Sequence, residues 1–380
     1  MIKAYKVRLL PTKKQEQLLW KHVHTSRFVW NYCLNYLNER YKNDEEYLNG
    51  RKTREVIRTL KSTDDYSWLK EISSHTMDNI CLDLDNSFQR LFKGISKYPK
   101  FKSRNKCKNS FPVRQDNFYL INNCAVLEKI GKVKYQSDRE FIQGRNMCKF
   151  TNPRVKYENN KWILSFGVEC EKQALNLTNK KVGIDLGVKK LAIISFENEM
   201  FKVNNINKTK KVIKLKKKMK YLQRKVSRKY ESNKEDNKFI KTNNIIKLEK
   251  QIKKIYEKLA NIRNNHIHEA TSKIIKLLPC KVVMEDLNVV GMMKNRHLSK
   301  AIGEQCFGEF IRQMKYKCEF YGIEFIQAHR FYPSSKTCSC CGNIKKDLKL
   351  KDRVYKCDKC GLTIDRDYNA SINLMNYSKA

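Results

Sequence analysis

Four cysteines near the end of the chain have the spacing of a metal site. Cys338 and Cys341 form one C-x2-C pair, and Cys357 and Cys360 form a second pair further along the chain. Four thiolates at this spacing can converge on one tetrahedral Zn²⁺ ion, and a glycine follows each pair where the chain must turn. Cys340 lies inside the first pair and is expected to be spare. Because protein would fill all four positions, we expect a structural zinc; two chance C-x2-C pairs or a redox dithiol are the alternatives.

Carboxylates at the ends of apolar segments form a second group with chemical potential. Asp185 follows a β-branched run in VGIDLG, and Glu285 and Asp286 end the run CKVVMEDL. Asp365 and Asp367 follow the second cysteine pair. For any one of them, capping of a following helix is the simpler explanation. Carboxylates from three distant segments could instead converge as oxygen ligands for two Mg²⁺ ions that hold the attacking and leaving oxygens of a phosphodiester.

The chain carries a large excess of positive charge. Lysine and arginine total 80 against 39 aspartate and glutamate residues, which gives a formal net charge of +41 over 380 residues. This excess predicts a polyanionic partner, because basic side chains gain affinity by displacing the counterions condensed on phosphates. A low-GC genome could raise the lysine content, but it would not explain the scarcity of acidic residues. We therefore expect a nucleic-acid partner rather than a membrane surface or a small-molecule substrate.

Nothing in the sequence predicts membrane insertion or secretion. No segment approaches the roughly 20 apolar residues of a membrane span, and the first residues, MIKAYKVRLLPTKKQEQ, lack the apolar core of a signal peptide. Most cysteines outside the two pairs stand singly in apolar runs and are expected to be reduced core residues, among them Cys33, Cys81, Cys170 and Cys280. We therefore expect a cytoplasmic protein with no membrane partner.

The elements of the first half of the chain follow from periodicity and turn signals. IKAYKVRLL predicts a strand that ends before Pro11, and Thr12 with Gln15 predicts a capping box that opens a helix. Helical patterning continues to about Phe92. Short strand patterns with asparagine pairs at the turns then extend to about Glu171, which predicts a small β-domain.

The second half begins with two strands and continues with a helical hairpin. KVGIDLGVKKLAIISF supplies the two strands around a tight Asp-Leu-Gly turn. Apolar residues then recur at helical spacing from Leu215 to Val226 and from Leu248 to Leu259, with a polar break between them. Two amphipathic helices that pack along these stripes explain the pattern and leave lysine-rich faces free for phosphate contact.

The order of these motifs resembles that of the TnpB (OrfB) proteins of bacterial insertion sequences, which are compact relatives of the type V CRISPR nucleases. The resemblance covers nearly the whole chain. It rests on AYKVRLLPTKKQ, RFVWNYCLNY, YPKFKSR, VGIDLGVKKLA, VVMEDLNVVGM, FYPSSKTCSCCGN and YKCDKCGLTIDRDYNASINL. The order and spacing of the motifs are more specific than any one of them.

The resemblance implies a multidomain α/β fold. A RuvC-like nuclease domain with the RNase H fold would be split by a zinc ribbon and accompanied by a helical recognition domain and a wedge β-barrel. The implied ranges are 1–10 and 100–175 for the wedge β-barrel, 11–99 for the recognition domain, 176–336 and 362–380 for the nuclease domain with a helical hairpin at about 208–275, and 337–361 for the zinc ribbon.

The resemblance also implies which carboxylates bind metal. Asp185 in GIDLG, Glu285 in VMEDL and Asp367 in DRDYN match the catalytic triad of the family, which would hold two Mg²⁺ ions. Asp365 would be a helper or a helix cap. None of the three positions departs from the pattern of the family, which argues against a derivative that has lost nuclease activity.

The implied activity is RNA-guided, Mg²⁺-dependent cleavage of double-stranded DNA beside a short transposon-associated motif. A guide RNA from the transposon end would select the target by base pairing, so the protein would make mostly backbone contacts. The alternatives are a DNA strand-transfer protein of transposition and a non-catalytic regulator that binds RNA or DNA. We expect a monomer or a dimer. Candidate nucleic-acid contacts are Lys100, Lys102, Arg104, Lys216, Lys217, Arg224 and Arg228.

Overall fold

The chain folds into two compact units, Met1–Glu171 and Lys172–Ala380. The structure is a computed structural model that describes residues 1–104, 106–137, 141, 150–173, 175–235, 238–349 and 352–378. Each unit contains its own large sheet. None of the described helices combines the length and the apolar character needed to cross a membrane.

The first unit contains a seven-stranded antiparallel sheet in the order β2-β6-β7-β1-β5-β4-β3. Its strands are β1 (Ile2–Leu10), β2 (Asn109–Pro112), β3 (Tyr119–Ile121), β4 (Cys124–Leu127), β5 (Gly131–Gln136), β6 (Phe150–Glu158) and β7 (Lys161–Glu169). Alternate residues of β1, Val7 and Leu9, are buried with Phe111 and Phe166, because one face of the sheet covers a core. Among the described residues the two end strands do not pair with each other, so closure into a barrel stays a prediction.

Helices inserted after β1 complete the first unit. They are α1 (Lys13–Lys42), α2 (Gly50–Ser62) and α3 (Ser74–Phe92), with a 3-10 helix at Asp64–Glu71. The predicted capping box is confirmed, since Thr12 Oγ1 accepts from the Gln15 backbone N–H at 3.3 Å and Gln15 Oε1 accepts from the Thr12 N–H at 3.0 Å. These helices bury an apolar cluster of their own that includes Leu34 and Ile80.

The second unit is built on a five-stranded mixed sheet in the order β10-β9-β8-β13-β14. Its strands are β8 (Thr178–Leu186), β9 (Lys190–Phe196), β10 (Glu199–Asn204), β13 (Pro279–Glu285) and β14 (Glu324–Ala328), and β11 (Lys234–Glu235) pairs with β12 (Lys238–Phe239) apart from it. The first three strands form an antiparallel meander, whereas β13 and β14 run parallel to β8. The two strands predicted around the Asp-Leu-Gly turn are therefore confirmed as β8 and β9.

Helices cover both faces of this sheet. They are α4 (Lys210–Ser232), α5 (Asn243–Ile275), α6 (Val289–Lys294), α7 (Ser299–Gln305), α8 (Phe307–Tyr321) and α9 (Arg366–Met375). The predicted hairpin of α4 and α5 is confirmed, with Leu222 and Leu259 buried between the two helices. On one face of the sheet, Ile274 of α5 and Phe310 of α8 pack in the same cluster as Met284 of β13.

The opposite face of the sheet is covered by α9. Leu374 of α9 packs with Val283 of β13. A Cβ atom added at Gly183 of β8 would lie 2.0 Å from the Ser371 carbonyl oxygen and 2.3 Å from the Met375 nitrogen. The backbone of α9 therefore lies directly on β8, and this contact requires a residue without a side chain.

We expect Gly183→Ala to lower the free energy of unfolding by about 1–3 kcal/mol, because the new methyl group has no space unless α9 moves away from the sheet. The matched control is Gly308→Ala in α8, where nothing lies within 4 Å of an added Cβ and alanine stabilises a helix by roughly 0.5–1 kcal/mol. Denaturant unfolding compares the variants. Equal stability of the two would contradict the close approach of α9 to β8.

Candidate functional site

Two of the predicted carboxylates stand at the ends of neighbouring parallel strands. β8 and β13 pair with Ile184 opposite Met284, so Asp185 and Glu285 come next at the same edge of the sheet. Side chains alternate between the two faces along a strand, and residues in register share a face. Both carboxylates therefore lie on the face of Gly183, which is the face that α9 covers.

The first turn of α9 supplies the third carboxylate. Asp365 is the N-cap residue of α9, and its Oδ1 accepts from the backbone N–H groups of Asp367 and Tyr368, both at 3.1 Å. Asp365 is thus engaged by the helix terminus. Asp367 lies one residue inside the helix, and its carboxylate belongs to the first turn.

The three carboxylates share one electrostatic environment. Burial raises the pKa of Asp185 well above its ordinary value, and the negative charges of Glu285 and Asp367 raise this pKa further. Arg366 acts in the opposite direction on Asp185, and its Nη2 lies 3.1 Å from Asp367 Oδ1. Negative charges that oppose the ionisation of a buried carboxyl favour either its protonated form or a bound cation.

The oxygens of the three carboxylates are suitable ligands for a hard divalent cation, although they lie further apart than the donor atoms of a closed metal site. Oxygen ligands from carboxylates are those that Mg²⁺ prefers. In the part of the chain that the structure describes, the four cysteines are the one group of three or more potential ligands whose donor atoms all lie within 4.8 Å of one another. Asp367 is instead neutralised by Arg366 and, at 3.9 Å, by Arg353.

Glu285 and the adjacent Asp286 have different partners. Ser334 Oγ donates to Glu285 Oε1 at 2.6 Å, whereas Asp286 forms an ion pair with Arg330 at 2.7 Å. After burial, the charge of Glu285 is the largest cause of the raised pKa of Asp185. Its position and its partners therefore distinguish Glu285 as the carboxylate that can act together with Asp185.

The four paired cysteines come together beside a small ribbon of β15 (Val354–Lys356) and β16 (Thr363–Asp365). The Sγ atoms of Cys338 and Cys360, and those of Cys341 and Cys357, are each 3.6 Å apart. Tetrahedral thiolates with Zn–S bonds of about 2.3 Å lie about 3.8 Å from one another. Cys340 is exposed and is not part of the group. The cluster therefore fits a structural Zn²⁺ ion with four protein ligands.

The backbone forms a tight turn at each cysteine pair. The N–H groups of Gly342 and Gly361 donate to the carbonyl oxygens of Cys338 and Cys357 at 3.0 and 3.1 Å. Both glycines have φ near +73°, at +72° and +74°, which is the left-handed region that favours glycine. Hydrogen bonds from the backbone of Cys360 and Lys359 lower the pKa of Cys357 to about 6. A hydrogen bond from the Leu362 backbone is outweighed by burial and the neighbouring thiols, which raise the pKa of Cys360 to about 12.

Two buried asparagines of α9 join the cysteine-bearing loop to the carboxylates. Asn369 Nδ2 donates to the Thr337 carbonyl oxygen at 2.6 Å, and Asn373 Nδ2 donates to the Ser334 carbonyl oxygen at 2.7 Å. Ser334 in turn donates its hydroxyl to Glu285. Neither asparagine is among the residues predicted from the sequence. Their i, i+4 spacing in NASIN is the signal that could identify them, since asparagine is unfavourable inside a helix unless its amide is bonded elsewhere.

The structure divides the seven predicted nucleic-acid contacts into two groups. Lys102 packs its Nζ 3.4 Å from the centroid of the Trp30 ring, and burial lowers the pKa of Lys102 to about 8. Lys216 forms an ion pair with Glu304 at 2.6 Å. These two side chains are therefore engaged within the protein. The exposed side chains that remain available for phosphate are Lys100, Arg104, Lys217, Arg224 and Arg228.

Comparison with known protein families gives three matches along the chain. The model described as "Probable transposase" matches residues 165–296, and the model described as "Cas12f1-like, TNB domain" matches residues 307–374. A third, described as "Helix-turn-helix domain", matches residues 1–46. In the structure this last range contains a strand and one continuous 30-residue helix, so the geometry that its description names is not present there.

Related proteins align with nearly the whole chain. The "Putative RNA-guided DNA endonuclease" of Streptomyces pristinaespiralis is 26% identical over 98% of this chain and 88% of the relative. The "Putative RNA-guided DNA endonuclease InsQ" of Escherichia coli (strain K12) is 27% identical over 98% of this chain and 92% of the relative. Among solved structures, a Cas12f1 chain from a complex with sgRNA and target DNA superposes with a TM-score of 0.62 and 14% identity over 99% of both chains. This last likeness shows a shared fold.

We expect Cys341→Ser to remove the zinc ion, because the thiolate set would lose one of its four ligands. Cys340→Ser is the matched control, since Cys340 lies in the same loop but outside the cluster. Metal analysis of the purified proteins should find about one zinc per chain in the wild type and in the control. Loss of zinc from the Cys340 variant, or its retention in the Cys341 variant, would contradict the assignment of the ligands.

We expect Asp185→Asn to stabilise the metal-free fold at neutral pH. The pKa of Asp185 is raised in the folded protein, so the unfolded chain releases this proton first and stability falls as the pH rises from the ordinary aspartate pKa towards the raised value; an amide removes this cost. Below the ordinary aspartate pKa of about 3.9 the carboxyl is protonated in both states, and the gain should vanish.

Denaturant unfolding in EDTA as a function of pH measures this difference. Asp286→Asn is the comparison variant. It should not stabilise the protein, because Asp286 forms an ion pair with Arg330 that the substitution would weaken. A stabilising effect of Asp185→Asn that persists at acidic pH would rule out ionisation as its cause.

Proposed function

Because the chain belongs to the TnpB (OrfB) family, we propose that it is an RNA-guided endonuclease that cleaves double-stranded DNA beside a short transposon-associated motif. The observation that carries this proposal is the shared environment of Asp185, Glu285 and Asp367 in a chain of net charge +41. The charge attracts a phosphate-rich partner, and the carboxylates provide a place where a phosphodiester can be hydrolysed. The partners are a guide RNA from the transposon end and the target duplex.

In this proposal the second unit is a RuvC-like nuclease domain with the RNase H fold, interrupted by the zinc ribbon. A meander that continues into two parallel strands supports this assignment, as does the location of the cysteine cluster between β14 and α9. The proposed ranges are 176–336 and 362–380 for the nuclease domain, with a hairpin at about 208–275, and 337–361 for the ribbon.

The first unit would consist of the wedge β-barrel, at 1–10 and 100–175, and the recognition domain, at 11–99. The insertion of three helices between β1 and β2 supports this division, because the chain leaves the sheet after one strand and returns to it after the helices. The break between the two compact units after Glu171 lies close to the proposed end of the wedge domain.

The residues of the site hold and orient the reacting groups. Asp185, Glu285 and Asp367 would bind two Mg²⁺ ions, which when bound supply activation of water and stabilise the leaving 3′ oxygen of the phosphodiester. Ser334 fixes one oxygen of Glu285 through its hydrogen bond. Arg366 neutralises Asp367 through its Oδ1 atom, and the second carboxylate oxygen, which is 3.9 Å from Arg353, would be the more accessible to a cation.

The exposed basic residues would contact the backbones of the guide RNA and of the RNA–DNA heteroduplex. Arg224 and Arg228 stand one turn apart on α4, and with Lys220 they line an open cavity of about 400 Å³. Contacts of this kind are independent of sequence and depend strongly on salt. This suits a protein in which base pairing with the guide supplies the specificity.

DNA strand transfer is a second candidate, favoured by the description "Probable transposase" of the family model that matches residues 165–296. A carboxylate site that binds two metal ions is compatible with either hydrolysis or transfer. The products distinguish them: hydrolysis gives a linearised target, whereas transfer gives DNA molecules in which donor and target are covalently joined.

We expect Asp367→Asn to reduce cleavage of a plasmid that carries a matched target by at least about a thousandfold, because one metal-binding carboxylate is lost. Asp365→Asn is the matched control, since asparagine caps a helix about as well as aspartate. The assay uses the protein with the RNA that copurifies with it, and RNA binding should be the same in both variants. Full cleavage by the Asp367 variant would overturn the assigned triad.

A further inference from the structure

We propose that Phe331 is a stacking platform for an unpaired base of the DNA strand that enters the carboxylate site. This inference rests on the proposed endonuclease function and adds a substrate contact to it. The ring of Phe331 is 81% exposed, compared with 55–60% for the other exposed phenylalanines of the described chain, Phe92, Phe101 and Phe239. A single exposed apolar side chain is ordinary by itself, and Phe331 is distinguished by its location and by the contacts that hold its backbone.

Phe331 lies beside the proposed catalytic edge of the sheet. Glu285, the last residue of β13, pairs with Ala328, the last residue of β14, and Phe331 follows three residues later. Parallel strands deliver their carboxyl ends to the same edge. An open cavity of about 490 Å³ lies here, lined by Asp286, Gln327, Ala328, His329, Arg330 and Phe331. The ring therefore borders an open space that begins one residue from Glu285.

The segment that carries Phe331 is anchored on both sides of the ring. The Tyr332 N–H donates to the His329 carbonyl oxygen at 2.8 Å. The Tyr332 ring packs at 4.8 Å between centroids against Tyr377, and its hydroxyl donates to the Asn373 carbonyl oxygen of α9. The exposed ring is thus presented by a fixed backbone, which lowers the entropy lost when a partner stacks on it.

The chemistry of the cavity favours a nucleobase over a phosphate. Arg330 is paired with Asp286, so these two charged groups of the cavity wall offset each other, and the exposed surface beside them includes the Phe331 ring and the His329 ring, whose centroids are 5.8 Å apart. Aromatic side chains stack on any base regardless of sequence, which suits an enzyme whose specificity comes from the guide. A base offers its face only when it is unpaired and unstacked, so the occupant is single-stranded DNA.

The first test measures single-turnover cleavage of a matched target by the protein with its copurified RNA. Phe331→Ala and Phe331→Leu should each slow cleavage by about 5- to 150-fold, and Phe331→Trp should retain it, because stacking needs an aromatic face. Phe239→Ala, which removes another exposed phenylalanine from the same unit, should cleave like the wild type. Wild-type rates for Phe331→Ala or for Phe331→Leu would overturn the proposal.

Abasic substrates identify the stacked base. One abasic nucleotide is introduced in turn at each position around the cut. At one position, the missing base should slow the wild type as much as Phe331→Ala slows cleavage of the intact strand. The Phe331→Ala variant should then cleave this abasic substrate at nearly the same reduced rate. If the two losses multiply independently at every position, Phe331 does not stack on a base.

A binding measurement without cleavage separates this proposal from the proposed function. In EDTA, a single-stranded oligonucleotide that contains fluorescent aminopurine is titrated with wild-type protein and with Phe331→Ala. Stacking should quench the fluorescence in the wild type and fail to do so in the variant. If the wild type cuts no DNA, the proposed nuclease function fails, and this quenching still decides the role of Phe331, because equal quenching by both proteins overturns it.

Discussion

The direct contact between the backbone of α9 and β8 at Gly183 is the constraint on which the candidate site depends. A side chain at this position would overlap the main chain of α9 at Ser371 and Met375. Because a helix can approach a strand this closely only over glycine, the position of α9 against the sheet is fixed within narrow limits. Ser371 also bonds Ser195 of the adjacent β9 at 2.5 Å in the buried interior.

That contact determines where the third carboxylate lies. α9 contains ten residues, which is too short for a helix to be stable in water without tertiary contacts. It is held by packing on the sheet, by the Asp365 cap at its start and by the bonds of Asn369 and Asn373 to the cysteine-bearing loop. A metal ion that fixes the cysteines therefore also fixes the loop that supports Glu285 through Ser334. The cysteine cluster and the carboxylate edge are thus connected through hydrogen bonds.

Local signals in the sequence account for much of the fold. The capping box at Thr12, the helical stripes of α4 and α5, and the strands around Asp185 depend on neighbouring residues, and the structure contains all of them. The cysteine spacing likewise predicts most of the geometry of the cluster, because two C-x2-C turns can bring four thiolates onto one metal ion in only a few ways. Contacts between residues that lie far apart in the sequence could not be predicted in this way. Lys102 looks like a free basic residue in the sequence but packs on Trp30.

The same limit applies to the carboxylate site. The resemblance to a family identified Asp367, but its pairing with Arg366 and Arg353 depends on folded geometry that spacing does not reveal. The central claim is that α9 brings Asp367 to the edge where Asp185 and Glu285 end their strands, so that the three bind divalent cations together. Anomalous diffraction from crystals soaked in Mn²⁺ tests it most directly. We predict a peak whose ligands include oxygens of these three carboxylates, and a peak bound through Asp365 or Asp286 in their place would contradict this prediction.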